Sequence, residues 1–379
     1  MYLTEEDLEM LNGSLKIFRK MYGTLRALEV TEAKADLNSL PVKMRQRYAR
    51  KDKKDTIYFD IVAEDAISLG HDFYGHDALF KRAYDKSGVI ITEEKGKVGS
   101  SRIEHSTPVI ISDPADRSSY LEKIIEEHGS AGTTMGEVFD FERKKIGESH
   151  ARVEGCNSSV TLLKDNMIKY SLILNLFTGE VFVAYPGGIF SGDIKIVDTI
   201  DDLKNEVTFK RDETLNMLCY SEGSKYENNR KGTHLRHFPQ EMNIKSPGGP
   251  IRFTYLLEEG KEKVSSVGVI AHNGEKIQES LPNIAVAFFS KGKLWAYKLF
   301  CSQEFVNEHR AGKGLTPNLQ NSIYNHGLLT NTGLKLEFLN NHDYPSDFRD
   351  TTVIAPASND PAITLLEGMV RRDYAIRII

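Results

Sequence analysis

Residues 159–185 constrain the fold more than any other stretch of the chain. Three β-branched, largely apolar runs, SVTLL, MIKYSLILNLF and EVFVAY, are separated only by the polar turns Lys164-Asp165-Asn166 and Thr178-Gly179. Breaks that short leave no room for a crossover, so consecutive runs pair antiparallel and the stretch predicts a meander. GVIIT at 88–92 and TPVIIS at 107–112 predict two further strands upstream. Elsewhere the pattern is helical. Leu8, Leu11, Leu15, Phe18, Met21 and Leu25 recur at steps of three and four behind a Thr4 cap, with Asp7 at the third helical position.

The remaining elements alternate irregularly. IYFDIVAEDAISL opens a predicted helix that continues through Tyr84. PNIAVAFFSKGKLWAYKLF, 282–300, predicts a helix closed near Gly292 and then a strand holding the only tryptophan. A helix-like IYNHGLL, a turn at Asn331-Thr332-Gly333, strands LKLEFL and TTVIA, and a closing helix from Asp360 complete the chain. Strands and helices in this order predict an α+β, layered architecture rather than a doubly wound sheet. No internal repeat and no low-complexity tract is present.

Composition narrows the function classes. Hydrophobic residues at 40% and charged residues at 27% are ordinary for a globular protein, and 379 residues suffice for one large domain or two fused ones. The net charge of −5 offers no global field for a nucleic-acid polymer or an anionic membrane. Cys156, Cys219 and Cys301 lie far apart with no Cys-x-x-Cys pair, which points to a reducing compartment and away from a zinc ribbon. The acidic, amphipathic start MYLTEEDLEML does not read as a signal peptide, so none is expected, and no apolar run approaches the roughly 20 residues a bilayer span needs. The expectation is a cytoplasmic protein.

The stretch that carries chemistry is VIISDPADRSS, 109–119. A β-branched run ends at Asp113-Pro114, with Asp116 three residues on and Arg117-Ser118-Ser119 opening the helical pattern YLEKIIEEHG. Two carboxylates this close repel unless a cation lies between them, and a hard divalent ion such as Mg²⁺ suits them. N–H groups at the start of the following helix would form an anion site beside that ion. Together these suit hydrolysis of a phosphate ester. The competing reading makes Asp-Pro turn punctuation and Ser118 a helix cap.

Twenty positions before Asp113 stands VIITEEKGKVG, with two acids at the end of the preceding strand. Glu-Glu after one strand and Asp-Pro-x-Asp after the next resembles the inositol monophosphatase and fructose-1,6-bisphosphatase superfamily of metal-dependent phosphatases. The resemblance runs from about Phe59 to the C-terminus and is weak over 200–275. The meander, the PNIAVAFFSKGKLWAY segment and HGLLTNTGLKLEF are similar to the family's later elements. It implies a layered αβαβα fold, with an N-terminal half at 1–200 holding the metal-site acids and a C-terminal half at 201–379 completing the cleft. It also implies hydrolysis of an inositol, sugar or nucleotide phosphate with Mg²⁺. Glu93 then binds metal and orients water, Asp113 and Asp116 are metal ligands, and the Ala115 carbonyl adds a backbone ligand. Ser118 holds water and phosphate, with Ser119 and Arg117 at the phosphate. Family members often form homodimers.

Two positions depart from the family pattern. Arg117 stands where the family has glycine, and a count of twelve back from Gly333 puts Asn321 where it has an acid. Asparagine coordinates without charge and weakens a second metal site. The alternative function is therefore an inactive or repurposed phosphatase fold that binds a phosphorylated ligand or partner without turnover. Arg230, Lys231 and Arg236, with His234 and His237, form a basic patch suited to a second anionic group; an exposed loop is its plainer reading. Asp60, Glu64 and Asp65 lie where the family has an outer acid. His71 and His76 read as helix-surface residues, Asp343, Asp347 and Asp350 as loop acids, and Cys156 and Cys301 as core thiols without a histidine base.

Overall fold

The computed structural model describes residues 2–36, 39, 56–68, 88–92, 94–99, 102–104, 106–165, 167–209, 217–220, 243–245, 249–257, 269–301, 329–330, 333–334, 349–356 and 374–378, some by backbone alone. The chain opens with α1 (Glu5–Ala27), where Asp7 N–H donates to Thr4 Oγ1 (3.1 Å) and Thr4 N–H to Asp7 Oδ2 (3.0 Å). That reciprocal cap contributes about 1 kcal/mol. The stripe Leu11, Leu15, Phe18, Met21 and Leu25 is buried as expected, but Leu8 is exposed, one turn from the helix start. A short α2 (Val30–Ala33) and α3 (Tyr58–Ser68) follow.

Next come β1 (Val89–Thr92), β2 (Gly96–Gly99) and β3 (Val109–Asp116), then α4 (Ser118–His128), α5 (Met135–Ile146) and α6 (Glu148–Glu154). The predicted meander is β4 (Asn157–Lys164), β5 (Met167–Asn175) and β6 (Glu180–Tyr185), extended by β7 (Gly188–Asp193) and β8 (Asn205–Glu206). These strands form one eight-stranded sheet, ordered β2-β1-β3-β4-β5-β6-β7-β8. Only β1 and β3 pair in parallel; every other neighbouring pair is antiparallel.

Both faces of this sheet are covered, which is why β4 and β5 read as nearly continuous apolar runs. Ile90, Ile110, Val160, Leu162, Leu172 and Leu174 pack with α1, α3, α4 and α5 residues such as Phe18, Phe59, Ile124 and Phe139. The alternate residues Ile91, Ile111, Leu163, Ile173 and Phe182 pack on the other side, against Phe253, Leu281, Ile284 and Ala285. The side chains sort by the two-residue period of a strand.

The second sheet is ordered β10-β9-β11-β15-β12-β16. Its strands are β9 (Met217–Tyr220), β10 (Asn243–Lys245), β11 (Val269–Lys276), β12 (Leu294–Cys301), β15 (Arg349–Pro356) and β16 (Tyr374–Ile378). A two-residue ladder of β13 (Leu329–Thr330) and β14 (Gly333–Leu334) stands apart. The helix α7 (Ile277–Phe289) follows β11 directly and, with a 3₁₀ segment at Gly249–Leu256, fills the layer between the sheets. Helices, sheet, helix and sheet stack in that order among the described residues, an α+β layered arrangement. No described helix is long and apolar enough to cross a membrane.

Candidate metal centre

The sequence reading ended the third strand at Asp113-Pro114 and let a turn at Pro114 return Asp116 to the same side. The structure corrects this: β3 continues through Pro114 to Asp116. Asp113 pairs with Ser159 and Asp116 with Asn157, so β3 advances three residues while β4 advances two. That is a β-bulge, placed where Pro114 has no N–H for the ladder. It decides the chemistry. In a regular strand residues three apart face opposite ways; the inserted residue returns Asp116 to the face Asp113 occupies. Ile111, two residues before Asp113, packs in the layer that holds α7, so both carboxylates face α7.

Beyond Asp116 the backbone turns sharply into α4. Arg117 is its N-cap residue, at φ 71° and ψ 38°. Arg117 thus holds a left-handed backbone, which costs a residue with a Cβ about 1–2 kcal/mol and which glycine would adopt freely. The Arg117 guanidinium lies over the Tyr120 ring, 4.5 Å from its centroid. Ser118 and Ser119 form the first two helical residues, so their N–H groups belong to the unsatisfied end of an 11-residue helix. The helix cap is Arg117, not Ser118.

A third carboxylate arrives from the other side. Asp113, Asp116 and Glu279 offer ligand oxygens that all lie within 4.8 Å of one another. The reason Glu279 comes so close begins with Pro282, which sits inside α7. Proline cannot donate to the carbonyl four residues back, here that of Gln278. Ser159 Oγ donates to that carbonyl instead, at 3.3 Å, and Ser159 is the cross-strand partner of Asp113. The helix is therefore tied to β4 beside Asp113, one residue before Glu279. Asn283 Nδ2 donates to the Glu279 carbonyl at 3.1 Å, holding the same turn.

Glu279 escaped the sequence reading because Pro282 looked like a first helical residue, its commonest helical place. The helix starts five residues earlier, at Ile277. Asn157 was missed too. It is wholly buried, its Nδ2 donates to the Gly155 carbonyl at 2.7 Å, and its Oδ1 has no hydrogen-bond partner among the described residues. As the partner of Asp116 it leaves the same face of the sheet. No local signal marked either residue.

The acids of α3 separate. Ile57 N–H donates to Asp60 Oδ2 at 3.2 Å, and Asp60 and Asp116 both lie near enough to act electrostatically on Cys156. Glu64 accepts from Thr92 Oγ1, while Asp65 holds Lys95 Nζ at 2.6 Å. Burial pushes the Glu64 carboxyl up to about 7, with Lys95 and Thr92 opposing. The Cys156 thiol is raised well above its ordinary value, chiefly by burial, which suits core packing rather than nucleophilic chemistry. Glu93, His71, His76, Arg230, Lys231, His234, Arg236, His237, Asn321, Asp343 and Asp347 lie outside the described residues, as do the side chains of Ser118, Ser119, Cys301 and Asp350. In the parallel pair of β1 and β3, Thr92 is opposite Ser112.

No family model and no curated protein sequence matches the chain. Solved structures do. A protein provisionally assigned as a sedoheptulose-1,7-bisphosphatase from Toxoplasma gondii superposes with a TM-score of 0.52 at 9% identity, over 96% of this chain and 94% of its own. The extragenic suppressor protein SuhB from Bartonella henselae gives 0.48 at 12% identity, over 97% and 100%. An inositol monophosphatase from Thermotoga maritima gives 0.47 at 9%, over 94% and 96%. The Toxoplasma superposition, nearly complete for both chains, gives the fold.

Proposed function

On the layered fold of the sugar and inositol phosphatases, we propose that this chain hydrolyses a small phosphate monoester with Mg²⁺. One observation carries the reading: the bulge at Asp113–Asp116 turns two carboxylates to one face immediately before the N-terminus of an 11-residue helix. A cation site and an anion site are then neighbours, as a phosphate ester and its metal require. The donors fit a hard divalent ion, being carboxylate oxygens crowded within 4.8 Å.

Asp113 and Asp116 would hold the ion, with Glu93 and the Ala115 carbonyl completing the ligands that the sequence resemblance supplies. Bound there, Mg²⁺ supplies charge neutralisation at the phosphate and acidifies a water. The remaining roles belong to the chain. Glu93 and the Ser118 hydroxyl orient the attacking water, and the N–H groups at the start of α4 receive phosphate oxygens. The bisphosphatase likeness supports a substrate with a second phosphate, for which Arg230, Lys231 and Arg236 are the candidate contacts.

A second reading rests on the Arg117 backbone and on Asn321: a repurposed fold that binds phosphorylated ligands without turnover. Release of inorganic phosphate from a panel of sugar, inositol and nucleotide phosphates separates the two. Mg²⁺-dependent turnover that falls at least 100-fold in Asp116→Asn is the expected result. Binding across the panel with no turnover selects the second reading.

A further inference from the structure

We propose that Glu279 is a metal ligand, so that the ion bridges the two sheets rather than sitting on the first alone; this rests on the metal-dependent reading above. Asp113 and Asp116 belong to the first sheet. Glu279 belongs to the helix that leaves β11 of the second sheet without an intervening loop. Its carboxylate nevertheless reaches within 4.8 Å of both aspartate oxygens. Three carboxylates at that spacing repel one another, and a divalent cation between them removes the conflict.

A second, independent feature stands beside the trio, on the strand residue paired with Asp116. Asn157 has Nδ2 turned to the Gly155 carbonyl, which turns Oδ1 the other way, on the face Asp116 occupies. That oxygen is buried and accepts no hydrogen bond among the described residues. An acceptor held so is costly unless something electropositive meets it, and a divalent ion with oxygen ligands does. Asp113, Asp116, Glu279 and Asn157 thus offer four oxygen donors from three elements.

The placement of Glu279 is built, not incidental. Pro282 frees the Gln278 carbonyl, Ser159 ties it to β4, and Asn283 holds the Glu279 carbonyl one turn along. The chain has asparagine at position 321, where the family resemblance expects an acid. Glu279 restores a third negative charge from a different element.

Calorimetric titration of Mn²⁺ and Mg²⁺ into the full chain tests this, with thermal melts of each variant with and without metal. Glu279→Gln should weaken metal binding at least 10-fold and shrink the metal-induced rise in Tm. It should also raise Tm in the metal-free protein, because one of three repelling charges is gone. A purely structural carboxylate would lower Tm in both states. Glu279→Asp keeps the charge on a shorter arm and should fall between, and it serves if the glutamine variant does not fold. The exposed Glu126→Gln on α4 should change nothing. Wild-type affinity in Glu279→Gln beside lost binding in Asp116→Asn overturns the proposal and leaves the phosphatase reading standing. Equal losses in Glu126→Gln and Glu279→Gln also overturn it, by reducing the effect to net charge. No binding of either ion to the wild type overturns both.

Discussion

The trio Glu127, His128 and Glu142 and the trio Asp113, Asp116 and Glu279 each gather ligand atoms within 4.8 Å. Their surroundings differ. The first lies where α4 and α5 meet solvent and brings its own cations. Lys145 Nζ is 2.7 Å from Glu127 Oε2 and 3.4 Å from Glu142 Oε2, and His128 Nε2 is 3.2 Å from Glu142 Oε2. Tyr120 OH donates to Glu142 Oε1 at 2.7 Å. The hydrogen bond from Lys145 holds the Glu127 carboxyl below its ordinary range. The second trio is made of carboxylates only, assembled from two layers around a bulge. An acid cluster that carries its own lysine and imidazole is a salt-bridge network; the trio Asp113, Asp116 and Glu279 is the one proposed above to hold a cation.

Substitutions can break that contrast, and the largest effect belongs to the interior trio. Asp113→Asn or Asp116→Asn should weaken Mn²⁺ binding at least 100-fold by calorimetry. A comparable loss in Glu142→Gln would erase the distinction between the two clusters.

Glu64 sharpens the comparison as a buried acid with a lysine nearby. Its carboxyl is raised to about 7, so it favours the fold fully below the unfolded value near 4.5 and ceases to as pH rises through 7. At 1.36 kcal/mol per unit the swing is roughly 3 kcal/mol. Glu64→Gln should flatten denaturant-measured stability between pH 5 and 8 and exceed the wild type at pH 8. An unchanged slope would mean that Lys95 keeps Glu64 ionised throughout.

The turn beside the interior trio comes next. Arg117→Gly should be about 1 kcal/mol more stable than Arg117→Ala, since both lose the guanidinium and only alanine keeps the left-handed cost. Equal stabilities would show that the backbone relaxes out of φ 71°. Smallest is Lys145→Ala in the surface network: below 1 kcal/mol, fading in salt, with metal affinity untouched.

How much of this was legible in the sequence follows the range of each signal. The meander was readable because turn length and alternation are local. So was the Thr4–Asp7 cap, with both partners within one turn. The two aspartates were visible as residues, but the left-handed backbone at Arg117 was not, because arginine carries no local signal for it. Their shared side was readable as well, but a turn at Pro114 was expected to produce it, and the structure does so with a bulge inside a continuing strand. The start of α7 was misplaced because Pro282 follows one rule for helix starts and obeys another inside this helix.

What the sequence by itself determined is therefore a part of the elements and the residue types available: an antiparallel core and two acids before a helix. The closing stretch Tyr374–Ile378, expected within a helix from Asp360, is instead a strand. The tertiary structure alone decided that Glu279 joins Asp113 and Asp116. Glu279 reaches Asp113 and Asp116 because a proline frees one carbonyl and a serine on the facing strand takes it. That contact spans 119 positions of chain, and no local pattern of spacing encodes which strand a helix will meet across a layer.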